Sequence, residues 1–361
     1  MDLSKVFQNT DNMLQKAILK IKQERRDFGL DKIVGGLENI SINTEPANLE
    51  NAVQEILNTT NYDINVVLDN LGGLAYVLSL DGSCDIIVTG KDTPSPFTQY
   101  NTGPKSSHLP HTRLEVFTFL VKNIERFVEI QRQRGFEFAS DDIFHANNYS
   151  YIQTLPSSYT GNALGFVEWK KRGDWSCEHS TFVNSPVTKP HRTYLKNIGF
   201  LDHAATRVRA QDRDAAIIEF MNLTNYDFQF AIYVNSMNSI TNVARSGRDD
   251  YAQVFTSGIT PLQSMEKPGP TEKFIDNYNT RVHHLAFVTE NIEETYESLK
   301  KDGQQYLIGL VGGEEEGLKQ TFTRPSKYTL LVNKYIKRYG GFEGFFTKSN
   351  VTALTGATHD Q

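Results

Sequence analysis

The feature that most constrains this chain is an internal repeat. Residues 112–125, TRLEVFTFLVKNIE, align without a gap on residues 280–293, TRVHHLAFVTENIE, at an offset of 168. A second pair, LNTTNYDINV (57–66) and MNLTNYDFQF (221–230), lies 164 apart. Carried upstream, that offset lays GLENISINT (36–44) over FLDHAATRV (200–208). Self-similarity at a fixed offset marks a duplicated structural unit. The two halves are therefore expected to fold alike.

Each half divides again. Segments beginning near residues 37, 113, 201 and 281 each read as a strand, a helix, then several strands. In the last, the β-branched and aromatic run Val282–Thr289 predicts a strand. Asn291 then caps a helix with Glu294 three positions on, Glu297 can pair with Lys301, and Gly303 stops it. The strand-rich stretches QYLIGLV, LKQTFTRP and YTLLVNKYIKR follow. The predicted fold class is α+β: four βαβββ modules paired into two open β-barrel-like halves. An amphipathic helix within residues 1–30 precedes them, with Val6, Met13, Ala17, Ile18 and Ile21 near one face. The halves are expected at 31–172 and 197–340, joined by a proline-containing connection at 173–196 and followed by a helical tail at 341–361.

Composition narrows the function classes. A length of 361 residues supports two or three domains with substantial cores. A formal charge of -6 leaves no basic footprint, so nucleic acid is not an expected partner. No apolar stretch approaches the roughly 20 residues that cross a bilayer, and MDLSKVFQNTDNMLQKAILKIKQERR lacks a signal-peptide apolar region. A cytoplasmic protein with no membrane partner is the expectation. Cys84 and Cys177 form no metal-ligand spacing and read as two free thiols. Any bound metal must then be held by histidine and carboxylate.

Histidines stand at informative places. His203 and His284 occupy corresponding strand starts in the second half, each preceded by a polar neighbour, Asp202 and His283. Strand alternation sends neighbours to opposite faces, so only one of each pair, one of His283 and His284 among them, is expected to point inward. A divalent metal with open positions commonly takes two histidines and one carboxylate on one face.

LDHAATRV, RVHHLAFVTENI and the tail GFFTKSNVTAL resemble the family of 4-hydroxyphenylpyruvate dioxygenase and hydroxymandelate synthase, in the vicinal oxygen chelate superfamily. MNSITNV, ITPLQS, GPTEKFIDNYN and GLKQTFTRP fall in the family's order. The resemblance implies a non-catalytic N-terminal half and a metal-binding C-terminal half under a C-terminal lid. It implies Fe(II) on His203 and His284, and a pocket of Ser239, Gln263, His283, Gln320, Phe322 and Leu331, with Phe346 and Asn350 on the lid. Its reaction uses a 2-oxo acid that chelates iron, together with O2.

The family's third ligand, a glutamate in the last strand, has no direct counterpart in YTLLVNKYIKR. Counting forward from Thr329 puts Asn333 there, and counting back from Arg338 puts Lys334 there; one residue has been inserted. The expected register has Asn333 inward as a neutral ligand and Lys334 snorkelling outward. Glu343, the run Glu314, Glu315 and Glu316, or an open third position are the alternatives. Glu168 in LGFVEWKKR aligns with the glutamate position in the first half, where Asn39 and Val116 replace the histidines. The resulting expectation is a divergent Fe(II)-dependent oxygenase of a 2-oxo acid or other small chelating substrate. The alternative is a metal-free or catalytically altered binding protein on the same fold. Co(II), Ni(II) and Zn(II) suit the same donors, and self-association into a homo-oligomer stays open.

Overall fold

The two sequence offsets reappear as strand register. In the first half, β1 (Val34–Thr44) pairs antiparallel with β5 (Arg113–Val121), matching Asn39 with Thr118, Ser41 with Val116 and Ile42 with Leu114. In the second, β10 (Ile198–Arg207) pairs antiparallel with β14 (Arg281–Thr289), matching His203 with Ala286, Ala205 with His284 and Thr206 with Val282. Every register irregularity in the first ladder recurs at the equivalent point of the second. Bulges are structural devices that bend and twist a strand, so the duplication has kept a bent frame as well as a strand order. The structure, a computed structural model, describes residues 7–91, 112–248, 250–262, 268–340, 342, 344–359 and 361.

Four βαβββ modules result. The first is β1, α2 (Leu49–Thr59), β2 (Asp63–Asn70), β3 (Gly73–Ser79) and β4 (Asp85–Gly90). The second is β5, α3 (Ile124–Gln133), β6 (Phe144–His145), β7 (Tyr149–Gln153) and β8 (Ala163–Trp169). The third is β10, α4 (Arg213–Leu223), β11 (Asp227–Val234), β12 (Ser239–Arg245) and β13 (Ala252–Ser257). After α5 (Pro270–Tyr278), the fourth is β14, α6 (Ile292–Lys301), β15 (Tyr306–Gly313), β16 (Leu318–Thr323) and β17 (Val332–Arg338). Each half curls into an open half-barrel sheet, with strand orders β6-β7-β8-β5-β1-β4-β3-β2-β9 and β11-β12-β13-β10-β14-β17-β16-β15. The ninth strand, β9 (Ser180–Phe182), comes from the 173–196 connection and adds to the edge of β2.

The helix caps repeat as well. Asn123 accepts from the Arg126 N–H at 2.8 Å and Asn291 from the Glu294 N–H at 3.4 Å, each satisfying an orphan donor of the first turn. Gly303 ends α6 in a left-handed conformation, φ +95°. One apolar core joins the two sheets and their helices: Phe119 of the first half meets Phe220 and Tyr226 of the second at ring distances of 5.7 and 5.4 Å. The other face of each sheet carries its own apolar cluster.

α1 (Asn12–Phe28) docks mainly on the second half, while its Glu24 and Phe28 also meet Arg134 of the first. Arg25 bonds Asp227 and the carbonyls of Met221 and Tyr226, while Arg213 reaches Asp11 at 2.5 Å. Its buried stripe is Leu14 and Ile21, flanked by Ala17 and Ile18. Met13, expected on that stripe, is 59% exposed. Val6 lies outside the described residues. Cys84 and Cys177 are free, and no described helix is long and apolar enough to cross a membrane.

Candidate functional site

A bulge assembles the histidines. Ala205 faces His284 and Thr206 faces Val282, so His283 is the extra residue on β14. Two consecutive side chains therefore reach one face, and His283 does not turn away as simple alternation predicts. Both imidazoles line the concave cavity of the second half. Their Nδ1 atoms are 2.9 Å apart, and the His203 and His284 rings stand 5.5 Å apart.

The hydrogen bonds fix the tautomers. His203 Nδ1 lies 2.5 Å from Asp202 Oδ2, and an ionised carboxylate only accepts, so Nδ1 carries the proton and Nε2 keeps a lone pair. Arg338 clamps Asp202 from the far side with both Nη atoms. Burial works to raise the Asp202 carboxyl, but Arg338 and His203 outweigh it and hold it well below the usual range. His283 Nε2 donates to Gln361 Oε1 at 2.8 Å, so His284 donates through Nδ1 to His283. His284 Nε2 is left as a buried lone pair without a partner. Burial, aided by neighbouring cations and imidazoles, depresses all three histidines, His203 to about 3.

Lys334 completes this cluster. The parallel ladder between β14 and β17 matches Ala286 with Lys334 and Leu285 with Asn333. Lys334 is 3% exposed, and its Nζ lies 3.4 Å from His203 Nε2, 4.3 Å from the centre of the Phe346 ring and 5.6 Å from that of Phe322. Burial, followed by Arg338 and offset in part by Asp202, pulls its ammonium well below the ordinary lysine range. Asn333 points the other way and donates to Thr59 Oγ1 of the first half at 3.0 Å. The expected register is thus reversed. Before the strand the chain makes a turn in which the Ser326 N–H meets the Leu331 carbonyl and Leu330 adopts φ 60°. The position that faces His203 is the one reached by counting back from Arg338.

Arg207 closes the opposite end. It follows His203 and Ala205 at two-residue spacing on β10, lines the same cavity and is 5% exposed. Its guanidinium donates to the Pro270 carbonyl and to Thr358 Oγ1 and stacks 4.4 Å from the Phe274 ring. Among the described residues it has no carboxylate partner, and burial lowers it to about 9. The sequence reading passed over Arg207. Its spacing from His203 was the available signal.

The remaining expected residues divide. Ser239, Phe322 and Phe346 line the cavity, with the Phe322 ring 4.8 Å from His284 and that of Phe346 5.2 Å from His203. Gln320 and Asn350 are buried behind it and bonded to each other at 3.2 Å, which ties β16 to α7 (Lys348–Ala357). Glu316 is exposed, and it accepts from Asn350 at 3.0 Å, so it anchors α7 and does not reach the histidines. Leu331 packs in the core shared by the two halves, away from the cavity. Glu168 accepts from the Ile124 N–H at 2.8 Å at the start of α3; the ladder equivalent of Lys334 is Gly165. Gln263 and Glu343 lie outside the described residues. The cavity itself is small, about 50 Å³, roofed by Val351, Leu354, Thr355 and Thr358.

No protein-family model matches the chain, and no curated protein matches it in sequence. Solved structures do match. A triple mutant of 4-hydroxymandelate synthase from Streptomyces coelicolor superposes with a TM-score of 0.67 over 91% of this chain and 98% of that one, at 15% identity. The chain has the fold of this synthase. A xylose isomerase-like TIM barrel/4-hydroxyphenylpyruvate dioxygenase fusion protein matches 97% of this chain and 58% of its own length, with a TM-score of 0.63 and 12% identity.

The donor set does not fit the iron that the resemblance implies. Among the described residues no group of three or more His, Cys, Asp or Glu could hold a metal ion. Asp202 is engaged by Arg338 and His203, and the lone pair of His203 Nε2 faces the Lys334 amine. Among the described residues a divalent cation would find no free anionic donor there, with two arginines nearby. Open iron sites of the two-histidine type rely on such a carboxylate.

Proposed function

We propose that this chain is a metal-independent small-molecule protein whose C-terminal half-barrel binds a small organic acid. The carrying observation is Lys334, whose amine stands 3.4 Å from His203 Nε2 where a ligand carboxylate is required. The cavity is apolar on Phe322, Phe346, Val351 and Leu354, with Arg207 at one end and Ser239 and Thr241 hydroxyls along it. An arginine without a carboxylate partner among the described residues suits a carboxylate ligand, since buried charges are stabilised by pairing. Val351, Leu354, Thr355 and Thr358 of the C-terminal segment cover the cavity, so a larger ligand enters if α7 shifts.

The second reading is the Fe(II)-dependent oxygenase of a 2-oxo acid with O2. It is favoured by the His203 and His284 rings lying 5.5 Å apart with the Nε2 of His284 unpartnered. Iron titration of anaerobic protein separates the two. Wild type is expected to bind no stoichiometric Fe(II), and Lys334→Glu, which restores one carboxylate to two imidazoles, is expected to bind it. Stoichiometric iron on the wild type, with O2 uptake on adding a 2-oxo acid, would reverse the choice.

A further inference from the structure

We infer that Lys334 is a carbonyl-capturing amine, forming an imine with the keto carbon of a small 2-oxo acid held in the same cavity by Arg207. This rests on the organic-acid reading above. Nucleophilic lysines of this kind sit desolvated in apolar pockets beside another cationic group. Lys334 meets those conditions: it is 3% exposed, faces the rings of Phe346 and Phe322, and shares the cavity with Arg207. Its side chain makes no ion pair among the described residues, and its one polar neighbour within hydrogen-bond reach there is His203 Nε2. A lysine kept only for packing has no need of an imidazole acceptor at its tip.

The step balances without an oxidant. The Nζ lone pair adds to the keto carbon; the C–N bond forms as the C–O π bond breaks, giving a carbinolamine. The nitrogen sheds a proton to His203 Nε2, whose far nitrogen is braced by Asp202. His203 returns that proton to the hydroxyl, which leaves as water while the nitrogen lone pair forms the C=N bond. Ketone plus amine has become imine plus water, with no change in oxidation state. The carboxylate on Arg207 adds the negative charge that the cluster lacks, which favours the transient imidazolium. The His284 Nε2 lone pair offers an acceptor to the carbinolamine hydroxyl. Once protonated, the imine nitrogen lies against the faces of Phe346 and Phe322, an environment that favours a cation.

Pyruvate is the probe, with sodium borohydride to reduce the imine to a stable secondary amine and peptide mass spectrometry to locate it. The expected result is a reductively trapped adduct at Lys334, exceeding that on exposed lysines by on the order of tenfold or more, because those lack an apolar cavity with a carboxylate anchor. Lys334→Met, close in volume, should fold and lose this adduct. Calorimetric binding of pyruvate without an adduct on Lys334 overturns the imine and leaves the organic-acid site standing. Equal labelling of all lysines also overturns it. Absence of pyruvate binding altogether, with Arg207→Met indistinguishable from wild type, removes the organic-acid reading and the imine with it.

Discussion

The two halves share a bent frame and differ at the places where chemistry could occur. Position for position, His203, His284, His283 and Lys334 of the second half stand where Asn39, Val116, Glu115 and Gly165 stand in the first. In the first half the concave face is packed solid. Tyr149, Tyr151 and Trp175 fill it, and a Cβ on Gly165 would lie 2.6 Å from both Thr118 Oγ1 and Tyr151 Oη. Trp175 comes from the connection between the halves and is held by Asp85 at 2.7 Å. In the second half α7 and Phe346 cover the face but leave a cavity. The frame therefore dictates where a site can be, and the bulk at a few positions decides whether there is one.

An acidic residue precedes the key position in both halves, with opposite electrostatics. Asp202 is clamped by Arg338 and held ionised. Glu38, its equivalent, accepts from the indole of Trp169, which occupies the ladder position of Arg338, and from the exposed Arg172. Burial raises the Glu38 carboxyl in spite of those partners. The charged guanidinium inside the second half is what makes the difference.

The strongest way to break this comparison is to exchange its two extremes. Gly165→Lys places a long amine in a filled space and should cost about 4 kcal/mol or more of unfolding free energy, combining overpacking with an uncompensated buried charge. Lys334→Met should cost less than about 1.5 kcal/mol, as volume-conserving core changes do. Urea denaturation of both variants checks this, and similar costs would mean that the first half is not packed as described.

Next in size is the acidic pair. Asp202→Asn leaves Arg338 without its counter-charge and should cost about 3 kcal/mol, the low end for breaking a buried pair because Arg338 is partly exposed. Glu38→Gln should cost less than about 1 kcal/mol at neutral pH, since its partner Arg172 is largely exposed. Because the Asp202 pKa is depressed on folding, its contribution is complete above the unfolded value of about 4 and is lost as pH falls below it. The Asn variant should therefore converge on wild type in acid.

A smaller effect separates the halves by pH. His203, His283 and His284 are held neutral, with folded pKa values below the unfolded value of about 6.5. Between those values the unfolded chain binds more protons, so stability should fall as pH drops below about 6.5. The slope is up to about 1.4 kcal/mol per pH unit per histidine. Chemical denaturation of wild type and His203→Gln at pH 5, 6 and 7 should show a shallower slope in the variant. Identical slopes would place the histidines outside the pH response.

The smallest test concerns what the halves have in common. Asn123→Ala and Asn291→Ala each remove an N-cap and should cost about 1 kcal/mol, with the shorter bond of Asn123 making it the larger loss. A negligible effect at one of the two would show that the frame is not shared as closely as its register suggests.

The duplication, the four βαβββ modules, the cap at Asn291 and the proximity of His203 to His284 were legible in the sequence. Each follows from a pattern repeated at a constant offset, which local chemistry can express without knowledge of distant contacts. Two decisions belonged to the tertiary structure. Strand alternation has a period of two, so a single inserted residue reverses every face downstream of it, and its position cannot be read from spacing alone. On β17 Lys334 faces His203 and Asn333 faces Thr59. The bulge against Thr206 likewise brings His283 and His284 to one face. Pairing with a neighbouring strand sets both outcomes, and together they gather two adjacent imidazoles and a buried amine at one cavity.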